Sequence, residues 1–239
     1  MKKRTIILLS IFLVIIISAG TVAYKYRSYI YLFYKAATTS TEKLQEEKLE
    51  SDQRAIEAIK EYGVETARPL TEEESEMLNS GEITEEEAVN IILGQNNSEK
   101  TEDEGISSSE NESANGEDKV DSDLQKKKAE IAQLIGKVYV LKAKFTNELD
   151  LVEKWVISEY NNLTDEERKS TSVKVRIGRE AYSKALALQA DCDGQMEEIF
   201  SRLTILLEET GQGTALVDEI RTAYENEKAV KISYYMDKI

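Results

Sequence analysis

The 239-residue chain has no histidine, one cysteine, one proline and one tryptophan. Without histidine it lacks the usual general base, the usual zinc ligand and the base of most nucleophilic triads, so histidine-dependent catalysis is excluded. A single cysteine, Cys192, can form neither an internal disulfide nor a cysteine-based structural zinc site. It also lies far too deep in the chain to carry a lipoprotein anchor. With Pro69 as its one proline, the chain is almost free of helix breakers, and long helices are expected.

What is abundant is charge, and it is unevenly placed. The net charge is −15, with residues 1–40 at +6, 41–94 at −11, 95–123 at −8 and 124–239 at −2. The acidity therefore belongs to the middle of the chain, between a basic N-terminus and a nearly balanced C-terminal half. An acidic middle repels phosphate, so nucleic acid is not an expected partner.

After Lys2, Lys3 and Arg4, the stretch from Thr5 to Tyr24 carries no charge. A helix of about 20 residues spans a hydrocarbon core of about 30 Å. Tyr24, Lys25, Tyr26, Arg27, Tyr31 and Tyr34 follow it, amphipathic rings and long cations suited to a lipid headgroup layer. Residues 5–35 thus read as a transmembrane helix with an interfacial extension, the lipid bilayer being the partner of this segment. A cleaved secretory signal peptide is the alternative, since the basic tip, the apolar run and Thr21-Val22-Ala23 also fit one. Three bases stand on each side of the span, so counting them does not orient it. The short cationic tail, 1–4, is assigned to the cytoplasm, which places the rest outside. A cytoplasmic-facing adaptor of inverted topology stays open.

Residues 36–94 read as an acidic helical stalk and hairpin. Thr41 to Tyr62 is a polar helix with a sparse apolar stripe and Gly63 as its stop. Thr71 with Glu74, and Thr84 with Glu87, have capping-box spacing, and Gly81 and Gly94 follow as stops. A divalent-cation cluster is the alternative reading of the glutamates at 72–74 and 85–87, disfavoured because consecutive residues point in different directions round a helix. Residues 95–123 hold almost nothing to bury and are expected to be a disordered acidic linker.

In the C-terminal half, Ile131, Leu134, Val138, Leu141, Phe145, Leu149, Val152 and Tyr160 recur at helical spacing, with Trp155 or Val156 in step. A second stripe runs through Ile177, Ala181, Ala185, Leu188, Cys192, Met196, Ile199, Leu203 and Leu206, and stops at Gly211-Gln212-Gly213. The third comprises Leu216, Ile220, Ala223 with Tyr224, Val230 and Tyr234. Residues 124–239 are therefore expected to form an antiparallel three-helix bundle of coiled-coil type. The chain as a whole is all-α.

No catalytic constellation emerges from these helices, and no metal or cofactor is expected. Asp191-Cys192-Asp193-Gly194 lacks the glycine at six and the glutamate at twelve of a calcium loop. Cys192 falls on the apolar stripe and reads as core. Paired acids such as Asp191 and Asp193, or Glu208 and Glu209, leave a carboxylate-dependent envelope glycan hydrolase as an alternative of another class. That enzyme needs a carboxylate in a cleft with a raised pKa, whereas a binding module needs an apolar groove or patch. Tyr224, Tyr234, Tyr235 and Met236 are the candidate interaction surface for a protein partner or for self-association.

The Gly-x-Ile-Thr-x-Glu-Glu turn at 81–87 is similar to that of the short helical hairpin in SHOCT domains, although Ala88 stands where that family carries an aromatic residue. The segments VYVLKAKFTNELD, ALQADCDGQMEEI and DEIRTAYENEKAVKISYYMDKI resemble the helical C-terminal domain of uncharacterised membrane-anchored proteins of clostridia-like Gram-positive bacteria. That resemblance covers about half of the chain and implies an envelope location without an activity.

Overall fold

The computed structural model describes residues 27–95 and 116–236. Among the described residues every regular element is a helix: α1 Arg27–Thr38, α2 Thr41–Glu61, α3 Glu72–Ser80, α4 Glu85–Ile92, α5 Gly116–Asn161, α6 Asp165–Lys169, α7 Thr171–Glu209 and α8 Ala215–Met236. The expected transmembrane segment 5–24 and most of the expected disordered linker lie outside the described residues. None of the described helices is long and apolar enough to cross a membrane.

The chain divides into two compact units, Arg54–Glu219 and the segments that flank it on either side. In the larger unit, Arg54–Glu219, local chemistry sets the helix ends. The Thr71 hydroxyl accepts from the Glu74 amide at 3.2 Å, while the Glu74 carboxylate accepts from the Thr71 amide at 2.8 Å. Thr84 with Glu87 and Thr164 with Glu167 form the same reciprocal pair. Each box satisfies two amides that would otherwise lack partners at a helix start. Gly81 closes α3 with φ +79°, a left-handed conformation that glycine adopts without the strain a Cβ would bring.

The core of this unit is organised around α5, which buries two faces. Ion pairs fix the first face antiparallel to α7: Arg202 donates to both Glu130 oxygens at 2.7 and 2.9 Å, and Lys127 lies 3.4 Å from Glu209. Farther along the pair, the Lys184 ammonium stands 4.8 Å from the Trp155 ring centre. The α7 stripe is largely the expected one, with Ile177, Cys192, Met196, Leu203 and Leu206 buried. Phe200 and Leu207 join it, so the buried face drifts round the helix toward its C-terminal end. Cys192 is core.

The second face of α5 was not anticipated. Ala132, Gly136, Tyr139, Val140 and Ala143 recur every three or four residues and receive the α3–α4 hairpin through Leu78, Val89, Ile92 and Leu93. A Cβ built on Gly136 would fall 2.7 Å from Val89 Cγ1, so a glycine here lets the two helices approach. Three expectations are corrected by this packing. The hairpin does not stand apart from the long helices but shares their core. The linker ends earlier than expected, because α5 is already helical at 116. Nor do 124–239 form a three-helix bundle, since from Ile220 onward α8 belongs to the other unit. The hairpin takes the place of the third helix.

A short strap completes the larger unit. The Arg68 amide donates to the Ile92 carbonyl at 3.1 Å, and the Thr66 hydroxyl donates to the Leu93 carbonyl. These bonds cap the C-terminal end of α4 with the chain that precedes α3.

The smaller unit joins α1, the first part of α2 and the later part of α8. Its apolar centre is Leu32, Leu44 and Ala229. Beside it runs a polar seam in which Asn226 uses both ends of its amide. The oxygen accepts from Lys35 Nζ at 2.8 Å, and the nitrogen donates to Ser51 Oγ at 3.0 Å and the Glu47 carbonyl at 3.3 Å. Lys35 also pairs with Glu47 at 2.7 Å. Two further expectations change accordingly. The helix from Thr41 is not a solvated stalk, since Leu44, Ser51, Ala55 and Ile59 along it are buried. Lys35, placed by sequence at the end of an interfacial helix, is instead tied into this seam.

Gly136→Ala is expected to lower stability by about 1 kcal/mol, the cost of overpacking exceeding the gain in helix propensity. In a Val89→Ala background the same change is expected to become neutral or stabilising. Urea denaturation of the four proteins of this cycle measures the coupling.

Candidate functional site

An open groove of about 620 Å³ lies in the larger unit where α4, α5 and α7 meet. Its floor is apolar, built from Val89 of α4, Leu134, Val140 and Leu141 of α5, and Ile199 of α7. Its rim is charged and mixed in sign: Glu85 and Glu86 on α4, Lys137 and Lys144 on α5, Glu198 on α7. Gln133 and Gln195 complete it. Lys144 reaches across to Glu85, closing one wall with an ion pair between helices distant in sequence. The groove exists because α5 carries two partners on different faces. Leu134 and Leu141, one heptad apart, lie where the two buried faces adjoin, and Lys137 and Lys144 repeat at the same spacing beside them.

Sequence reasoning missed this groove. From spacing alone, Glu85 and Glu86 read as acids at a helix start, and Leu134 and Leu141 as core. The available signal was the small-residue stripe Ala132, Gly136 and Ala143, which marks a second helix contact on α5.

An apolar floor within a charged rim suits one face of an amphipathic helix or a pair of large side chains. Among the described residues, Glu74, Glu130 and Glu167 have pKa values moved downward. Arg68, held bidentate at 2.6 and 2.7 Å, together with the Thr71 amide brings Glu74 down to about 2. Arg202 lowers Glu130, and the Thr164 amide and hydroxyl lower Glu167. These carboxylates are stabilised as anions by capping and pairing, the opposite of what a general acid requires. Among the described residues no group of three or more acidic or thiol side chains is placed to hold a metal ion.

The candidate interaction residues are not brought together as one surface. Tyr224 is only 6% exposed, with the Lys228 ammonium 5.0 Å from its ring centre, so it is a packed residue of the smaller unit. Tyr234 is exposed and meets Tyr235 edge to face at 5.1 Å. The Met236 side chain, like those of Tyr24, Lys25, Tyr26 and Arg27, lies outside the described residues. Tyr31 and Tyr34 are 60% and 68% exposed, three residues apart on the side of α1 away from Leu32 and Ala36.

Glu74 connects the hairpin to pH. Its folded-state pKa lies below the ordinary 4.5, so protonation favours the unfolded chain. Its contribution is complete above about 4.5 and is lost as pH falls from there toward about 2. Arg68 is nearly half exposed, so the ion pair adds little to the cap itself. Glu74→Gln is expected to cost about 1 kcal/mol at pH 7, the worth of a cap, and almost nothing near pH 2. Denaturation midpoints across that range check it.

Comparison of the chain with protein-family models, with curated proteins and with solved structures returns no match.

Proposed function

We propose that this chain is a single-pass membrane protein whose helical region, held outside the cytoplasm, serves as a non-enzymatic protein-interaction or scaffolding module of a bacterial cell envelope. The observation that carries the anchor is the uncharged stretch Thr5 to Tyr24, long enough for a bilayer and preceded by three cations. Support comes from α1, which follows directly: Tyr31 and Tyr34 are exposed on one side while Leu32 and Ala36 pack on the other. A tyrosine face next to an apolar span is what a headgroup layer accommodates. The interaction role draws on a fold of paired long helices with an apolar-floored groove, and on carboxylates held as anions instead of being poised as acids. The clostridia-like envelope proteins that the C-terminal half resembles fit the same placement.

Protease applied to intact cells is expected to remove the helical region while a short N-terminal fragment stays with the membrane. Deleting residues 1–24 is expected to release the protein from the membrane fraction. Protection in intact cells that ends on lysis would mean the inverted, cytoplasmic-facing topology. Recovery of a shortened protein in the medium would mean a cleaved signal peptide.

A further inference from the structure

Beyond the groove, α5 and α7 continue as a pair toward the α6 turn, and this distal part exposes large apolar side chains. Lys184 over Trp155 marks one flat side of the pair. Two residues along a helix are about 200° round it, so Ile157 and Tyr182, each two residues from that contact, lie on the opposite side and at the same level. Ile157 is 53% exposed and Tyr182 51%. Val175, seven residues before Tyr182 and on the same stripe, is 52% exposed. Arg179 shares that stripe, and Asp150, seven residues before Ile157, shares the α5 side of the face.

Charge divides along the same face. Residues 145–161 of α5 carry four acids and one base, whereas residues 171–190 of α7 carry four bases and one acid. The two arms are thus −3 and +3, and the face is acidic along one edge and basic along the other.

The geometry points to a second copy of this chain as the occupant of this face. Turning the pair about a two-fold axis parallel to its length lays the basic α7 arm of each copy over the acidic α5 arm of the other. Ile157, Val175 and Tyr182 of both copies then meet between them. The contact is isologous, closes on itself, and makes a four-helix bundle from two helical pairs. The reverse stacking, with the pairs pointing in opposite directions, sets acid on acid and base on base. The face is about 25 Å long and two helices wide, which gives about 1,000 Å² buried in total, near the lower limit for a specific interface. The dimer is therefore weak and salt-sensitive, with a dissociation constant on the order of micromolar. This deepens the reading of the helical region as an interaction module, on which it rests, and is independent of the membrane anchor.

The test uses the full chain in detergent micelles, followed by light scattering and sedimentation across a concentration series. The wild-type protein is expected to pass from monomer to dimer, with the midpoint moving to higher concentration as salt is added. Tyr182→Glu is expected to weaken the dimer at least about tenfold, more than one missing aromatic contact, because it also places an acid against the acidic arm. R176E with R179E makes both arms acidic, and D150K with E153K makes both basic, so each variant alone is expected to be monomeric. Mixed together they are expected to form a heterodimer, which also shows that both are folded. A wild-type protein monomeric throughout, or a dimer unchanged by these variants, overturns the proposal. Neither result touches the anchor, whose failure would show as loss of membrane retention.

Discussion

The larger unit depends on one constraint: α5 has to bury two faces at once. Alone, a pair of long amphipathic helices has one seam and leaves the remaining sides to water. Here the stretch from Ile131 to Val140 is covered by α7 on one side and by the α3–α4 hairpin on the other. Such double coverage requires the hairpin to come close, and Gly136 opposite Val89 is where the closeness is achieved. Close packing makes that site sensitive to a single methyl group, since interiors have no slack to absorb it. The groove is a by-product of the same geometry, because two partners on adjoining faces of a cylinder cannot meet each other completely.

Opposite principles stabilise the two units. In the larger one, apolar stripes do the work, and ion pairs such as Arg202 with Glu130 are half-exposed. Burying a Leu or Ile contributes about 1.5–3 kcal/mol, whereas an exposed ion pair contributes at most about 1. The ion pairs therefore set register more than stability. In the smaller unit, a short apolar centre of Leu32, Leu44 and Ala229 is supplemented by the Lys35, Glu47, Ser51 and Asn226 network. Because Asn226 satisfies donors and acceptors together, the network specifies one arrangement of the three segments.

These differences bear on function. Several charged residues of this protein have identifiable structural tasks: at helix starts, across α5 and α7, and in the seam. Among its exposed apolar residues are Tyr31 and Tyr34 on α1, and Ile157, Val175 and Tyr182 on the distal pair. Glu74, Glu130 and Glu167 are held as anions by capping and pairing, and large apolar side chains stand exposed on helix faces. That chemistry underlies both the proposed bilayer-proximal face and the proposed pairing of copies.

Helix identity, the capping boxes at Thr71 and Thr84, the glycine stops and the main stripes of α5 and α7 were all legible in the amino-acid sequence. Each rests on residues within about one or two helical turns of one another. The docking of the hairpin, the allocation of α8 beyond Ile220 and the burial of Tyr224 were not. A stripe shows that a helix has an apolar face, but it does not show which of several compatible faces will cover it. The second face of α5 was also written in small residues, whose value lies in how near a partner can come and not in hydrophobicity. Local order was decided by the sequence itself. Partner choice was decided only in the tertiary structure, because it depends on the competition among all faces for the same limited set of neighbours.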